Sequence, residues 1–153
     1  MHDLKNGNIM DDVSYCCRKV RNKYVISVGN HQEIVSALMR FCEESDIRSG
    51  EISGLGAVNE ATLRFYDPVG KKYEDKTFCQ QMEMANLTGN VSCLNGRTYL
   101  HIHVTLGLPD YSAIAGHLLT AKVNGACELF IEDCGEEVGR IEDEETGLNL
   151  YRF

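Results

Sequence analysis

The segment Tyr99-Leu100-His101-Ile102-His103-Val104-Thr105-Leu106-Gly107-Leu108 constrains the fold more than any other part of the chain. Leu100, Ile102, Val104, Leu106 and Leu108 alternate with Tyr99, His101, His103 and Thr105. A side-chain period of two belongs to an extended strand, so the aliphatic set takes a core face and the polar set the opposite one.

The flanking sequence supplies partners for that strand. Asn95-Gly96 is a two-residue hairpin signal, and before it Ala85, Leu87, Gly89, Val91 and Cys93 alternate with Asn86, Thr88, Asn90 and Ser92. Ala61, Leu63 and Phe65 alternate with Glu60, Thr62, Arg64 and Tyr66, which predicts a half-buried strand. Asp67-Pro68-Val69-Gly70 then turns the chain into a returning strand over 72–78. Tyr24–Val28 reads as a strand, Ala113–Val123 is mixed apolar, and Cys127, Leu129 and Ile131 suggest one more strand.

One helix is expected at about 31–45. Asn30 is its candidate cap, Glu33 completes a box-like start, and Ile34, Val35, Leu38, Phe41 and Cys42 form the apolar stripe. Many strands joined by short turns, with one clear helix and room for a second short one, give an α+β fold on a mainly antiparallel β-sheet. The length of 153 residues suits one domain, read as 15–153, after a flexible tail at 1–14.

Charge restricts the partners. The net charge is −8, and most of it lies after Cys127, where nine acids face only Arg140 and Arg152. An acidic chain gains little from counterion release on nucleic acid. The basic group Arg18, Lys19, Arg21 and Lys23 is expected to be a solvated strand edge. The apolar runs are too short for a membrane-spanning helix, and the N-terminus lacks an apolar signal core. Seven scattered cysteines without a Cys-x-x-Cys pair read as reduced thiols of a cytoplasmic protein, with buried packing as their expected role.

His101 and His103 are separated by two residues of strand rise, roughly 7 Å at the backbone, so both imidazoles can converge on one ion. His117, reached after the Pro109-Asp110 turn, is the candidate third ligand, although Leu119, Ala121 and Val123 share its nominal side of the strand. Three neutral imidazoles suit Zn²⁺ or another late divalent metal, with a fourth position open to water, a small-molecule ligand or substrate. Tyr99, Thr105 and Glu60 are candidate supports for these ligands, whereas His2 and His31 read as ordinary solvated or hydrogen-bonded side chains. No nucleophile elbow, phosphate loop or dinucleotide fingerprint is present, and Gly54-Leu55-Gly56 reads as a site of tight turning or close packing. A cupin-like barrel also uses a His-x-His pair, but the glutamate expected soon after it is missing from 104–110.

Several of these motifs occur in an order that resembles the PPC (plants and prokaryotes conserved) domain. They are Ser53-Gly54-Leu55-Gly56-Ala57-Val58, Ala61-Thr62-Leu63, Leu87-Thr88-Gly89-Asn90, His101-Ile102-His103-Val104, Gly116-His117-Leu118 and the ending Glu144-Glu145-Thr146-Gly147-Leu148. The resemblance spans roughly 20–150 and implies a mainly antiparallel fold assembled as a homotrimer. It also implies a metal site at His101, His103 and His117, as in prokaryotic stand-alone members. Plant members carry the domain beside DNA-binding AT-hooks, where it mediates self-association and contacts with transcription factors. No Arg-Gly-Arg-Pro hook occurs here, and Gln80–Met84 differs from the plant form, so DNA is a partner that the resemblance implies and the charge opposes. The expected function is a metal-binding, self-assembling module with a regulatory, DNA-associated or ligand-sensing role. A small zinc hydrolase or lyase using water at the fourth position is the alternative.

Overall fold

In a computed structural model of the chain, the described residues are Ser14–Phe153. The expected tail therefore lies, Ser14 excepted, outside the described residues, as does His2. In chain order the elements are β1 (Tyr15–Val20), β2 (Lys23–Val28), α1 (Ile34–Glu44), β3 (Gly50–Asp67), β4 (Lys72–Phe78), β5 (Met82–Leu94), β6 (Arg97–Gly107), β7 (Ala113–Asp133), β8 (Gly139–Glu142) and β9 (Asn149–Arg152). The α+β reading with a mainly antiparallel sheet holds, and α1 is the single helix among the described residues. No helix among them is long and apolar enough to cross a membrane.

The central pairings close on themselves. β3 pairs with β5, β5 with β6, β6 with β7, and β7 returns to β3, all antiparallel. Asn95 and Gly96 turn β5 into β6 with φ of 52° and 75°, both in the left-handed region that an Asn-Gly hairpin favours. Ile102, Val104 and Leu106 of β6 are fully buried with Met84, Leu87, Val91, Leu118, Val123 and Leu129. Burying each such side chain stabilises by about 1.5–3 kcal/mol, so a one-residue slip of β6 would forfeit several kcal/mol and turn the imidazoles into the core.

The helix begins later than its sequence signal suggests. Glu33, not Asn30, caps α1, accepting from the backbone N–H of Val35 at 2.9 Å and of Ser36 at 2.7 Å. His31 has φ 68°, which interrupts helical backbone, and Asn30 instead accepts from the Gly125 N–H at 3.0 Å. Glu33 also accepts from the Ala121 N–H at 3.0 Å, tying the helix start to β7. Ile34, Ala37, Leu38, Phe41 and Cys42 form the buried stripe, which packs toward β6 and β7, and Tyr15 and Tyr24 meet Phe41 edge-on.

Other expectations are corrected. The mixed segment 113–123 and the strand near 127–131 are one long strand, β7. Phe65 is 69% exposed rather than half-buried, because the end of β3 runs out of the ring beside β4, whose only strand partner among the described residues is β3. Ala85 is exposed because the β5–β6 register shifts between Met84 and Asn86. Cys42, Cys93 and Cys127 are buried, but Cys16, Cys17, Cys79 and Cys134 are exposed, so packing accounts for three thiols of the seven. The basic group on β1, β2 and the turn between them is exposed as expected, with Lys23 paired to Glu132 at 2.9 Å.

Gly54 and Gly56 mark where β3 runs closely against β7. A Cβ at Gly56 would lie 2.4 Å from the Ala126 carbonyl oxygen and 2.9 Å from the Cys127 Cα, both backbone atoms. Overpacking against backbone costs about 1–3 kcal/mol. Gly56→Ala is therefore expected to lower the unfolding free energy by that amount, seen as a lower urea midpoint, and an unchanged midpoint in chemical denaturation would contradict this account of the pair.

Candidate metal centre

Two adjacent strands, β6 and β7, bring the histidines together. His101 and His103 alternate on β6 with buried Ile102 and Val104, so both rings stand on the outer face of the ring of strands. His117 of β7 is the direct register partner of His103. Its orientation depends on a bulge. The β3–β7 register shifts between Thr62 and Leu63, which places one extra β7 residue, Leu119, between Leu118 and Thr120. Leu118 and Ala121 therefore both face the core although three residues apart, and His117 joins the outer face instead of the interior.

The ligand nitrogens of His101, His103 and His117 all lie within 4.8 Å of one another. The ring centroids are 5.1, 5.2 and 5.5 Å apart, and the Nε2 atoms of His101 and His103 approach to 3.2 Å. Two nitrogens bound tetrahedrally to zinc at about 2.0–2.1 Å would be roughly 3.3 Å apart, so this edge fits such an ion. The same 3.2 Å would also suit an N–H···N hydrogen bond. That bond, however, engages two rings only, and His117 has no side-chain hydrogen-bond partner among the described residues, whereas a cation would engage all three.

The electrostatics keep the donors available. Burial, then the neighbouring His101 and His103, then Arg64, push the His117 pKa down to about 4. Burial, His103 and Arg140 lower that of His101. A depressed pKa means a neutral ring with a free lone pair at physiological pH.

Around the three rings stand residues that the sequence did not place beside them. Arg64 is the register partner of His117 and makes a bidentate pair with Asp75 at 2.7 and 2.8 Å. Asn90 lies opposite His101 and Thr88 opposite His103 on β5. Arg140 of β8 stacks on Tyr99 and reaches Asn90. Of the candidate supports, Tyr99 thus holds Arg140, while no side-chain hydrogen bond joins Thr105 or Glu60 to a histidine among the described residues. The carboxylate whose field reaches His117 is Asp75, not Glu60. His31 is exposed in the loop before α1, bonded to Asn30 and apart from the centre. Alternation revealed the pair on β6, but cross-strand neighbours depend on register, which no local pattern encodes.

The family model of the Plants and Prokaryotes Conserved (PCC, or PPC) domain matches residues 15–135. The chain belongs to this family. A solved protein from Bacteroides thetaiotaomicron, described as a putative DNA-binding protein, is 52% identical to this chain, with a TM-score of 0.91 over 92% of this chain and 99% of its own. A protein from Archaeoglobus fulgidus described as metal-containing is 34% identical, with a TM-score of 0.81 over 94% and 100%. The PPC protein of Pyrococcus horikoshii is 25% identical, with a TM-score of 0.79 over 94% and 98%. No curated protein matches the chain.

The pKa of His117 has a measurable consequence for this PPC domain. Its folded pKa, about 4, lies below the roughly 6.5 of an unfolded histidine, so between those values the unfolded chain holds a proton that the folded chain does not. Stability linked to this residue is complete above about pH 6.5 and is lost as pH falls toward 4. Metal-free His117→Asn should show a shallower loss of stability than the wild type across that window in chemical denaturation. Parallel pH profiles would contradict the depressed pKa.

Proposed function

We propose that residues 15–153 form a cytoplasmic PPC unit that binds a divalent metal, zinc first among the candidates, at His101, His103 and His117. The unit assembles as a homotrimer and serves a regulatory or ligand-sensing role. The observation that carries this reading is the convergence of three imidazoles on the outer face of β6 and β7. The metal-containing relative from Archaeoglobus fulgidus supports it. When bound, zinc would supply Lewis acidity and a fourth position for an exchangeable ligand.

Two features favour sensing over catalysis. The near carboxylate, Asp75, is held by both Arg64 contacts, and Arg64 keeps it well below the usual carboxylate range. It is therefore a poor general base, and no second carboxylate pairs with a histidine among the described residues. Self-assembly is supported by apolar side chains left in solvent, including Phe65 and Tyr73 on the projecting β3–β4 ribbon and Leu55 and Phe130 on β3 and β7. DNA association is the description that the Bacteroides thetaiotaomicron relative carries. In this chain it would have to overcome a net charge of −8, with Lys23 already committed to Glu132.

Protein purified without an affinity tag should contain one metal ion per chain by elemental analysis, and His101→Ala/His103→Ala should contain none. Retention of stoichiometric metal by that variant would remove the assignment. A divalent ion at a hundredfold excess over its Kd stabilises by about 2.7 kcal/mol, so zinc should raise Tm by roughly 5–10 °C in the wild type and not in the variant. In light scattering, three copies of the 17.1 kDa chain give about 51 kDa, and a 17.1 kDa species would end the trimer reading. Any binding to duplex DNA should weaken steeply with salt.

A further inference from the structure

Arg140 is a buried cation with no carboxylate partner among the described residues. Its exposure is 9%, and its guanidinium lies between the rings of Tyr99 and Tyr151, 5.0 and 4.2 Å from their centroids. Nε donates to Ser92 Oγ at 2.7 Å, Nη1 to the Asn149 carbonyl at 2.7 Å and Nη2 to Asn90 Oδ1 at 2.8 Å. All three acceptors are neutral. A guanidinium has five N–H donors, so two remain beyond these bonds. Burying an uncompensated charge is costly, and here the surroundings hold the charge in place without neutralising it.

Its location gives that charge a use. Asn90, which fixes Nη2, is the register partner of His101, and Tyr99, which supports one guanidinium face, lies two residues before His101 on β6. The other arginine beside the centre, Arg64, is already neutralised by Asp75. Three neutral imidazoles leave a divalent ion's charge uncancelled, and Arg140 adds to it. A neutral ligand would leave that excess standing, whereas an oxyanion would cancel part of it and match the planar fork of the guanidinium.

We infer that the fourth position of the three-histidine centre selects an oxyanion, a carboxylate or phosphate group of a small molecule, and that Arg140, anchored by Asn90, is the residue that recognises it. This deepens the metal reading above and depends on it. Arg140 also joins β8 to β5 and β9, so the test must separate recognition from architecture.

Cobalt(II) substituted for zinc reports its ligands through visible absorption, and each variant is first loaded with cobalt alone. Acetate, inorganic phosphate and neutral imidazole are then titrated separately. In the wild type at least one oxyanion should shift the spectrum, and the acetate and phosphate arms identify which group is preferred. Arg140→Met should weaken that oxyanion about ten- to a hundredfold, the usual effect of removing a charge-assisted bond, while imidazole titrates as in the wild type. Arg140→Lys, which keeps the charge but not the fork, should recover part of the loss. If Arg140→Met fails to fold, Asn90→Ala decides the matter, since it frees Nη2 and leaves the Ser92 and Asn149 bonds; several-fold weaker oxyanion binding with unchanged imidazole binding is expected. Equal oxyanion affinity in wild type and variant, or a spectrum that responds to imidazole and to neither oxyanion, overturns the inference while leaving the metal centre intact. Wild-type protein that binds no cobalt overturns the metal reading, and this inference with it.

Discussion

The burial of Ile102, Val104 and Leu106 along one alternating strand is the constraint on which the rest of the structure depends. With their side chains committed to the core, His101 and His103 have only the outer face available, and their spacing is fixed by strand geometry. The energetic scale explains why the arrangement is secure. Several kcal/mol of apolar burial hold the register of β6, and nothing that the imidazoles could gain from one another in water approaches that. The site therefore takes its geometry from the core without contributing to it.

The third histidine obeys a different rule. A perfectly alternating β7 would put His117 on the same side as Ala121 and Val123, which are buried. One extra residue at Leu119 reverses the parity, so that the strand satisfies the core on both sides of the bulge and still delivers an imidazole opposite His103. The bulge therefore shapes the site as much as the histidine does.

This contrast also sets what the sequence made legible. The β6 alternation, the Asn-Gly hairpin and the α1 stripe are local patterns with one physical interpretation each, and they appear in the structure where the sequence places them, except that Ala37 rather than Val35 completes the stripe. The start of α1 was misleading because Asn30 had a competing partner, Gly125, some 95 residues away in the chain. Phe65 and Ala85 followed the right period, but one lies beyond the core and the other at a register shift. Arg140 was invisible for a stronger reason. It sits in an acidic stretch without alternation, on a four-residue strand that reaches β5 by parallel pairing. Such a neighbour exists only once the whole sheet is assembled.

The separation of core from centre bears on what kind of protein this is. In a small domain organised by zinc, the ion supplies the folding energy, and losing it means unfolding. Here the closed ring of β3, β5, β6 and β7 and the packed face of α1 bury a continuous set of apolar residues that includes none of the three histidines. The packing that holds this fold therefore does not run through the proposed metal centre. The polar groups around the proposed centre, Arg64 with Asp75 and Arg140 with Asn90, likewise lie outside that apolar set, on β3, β4, β8 and β5.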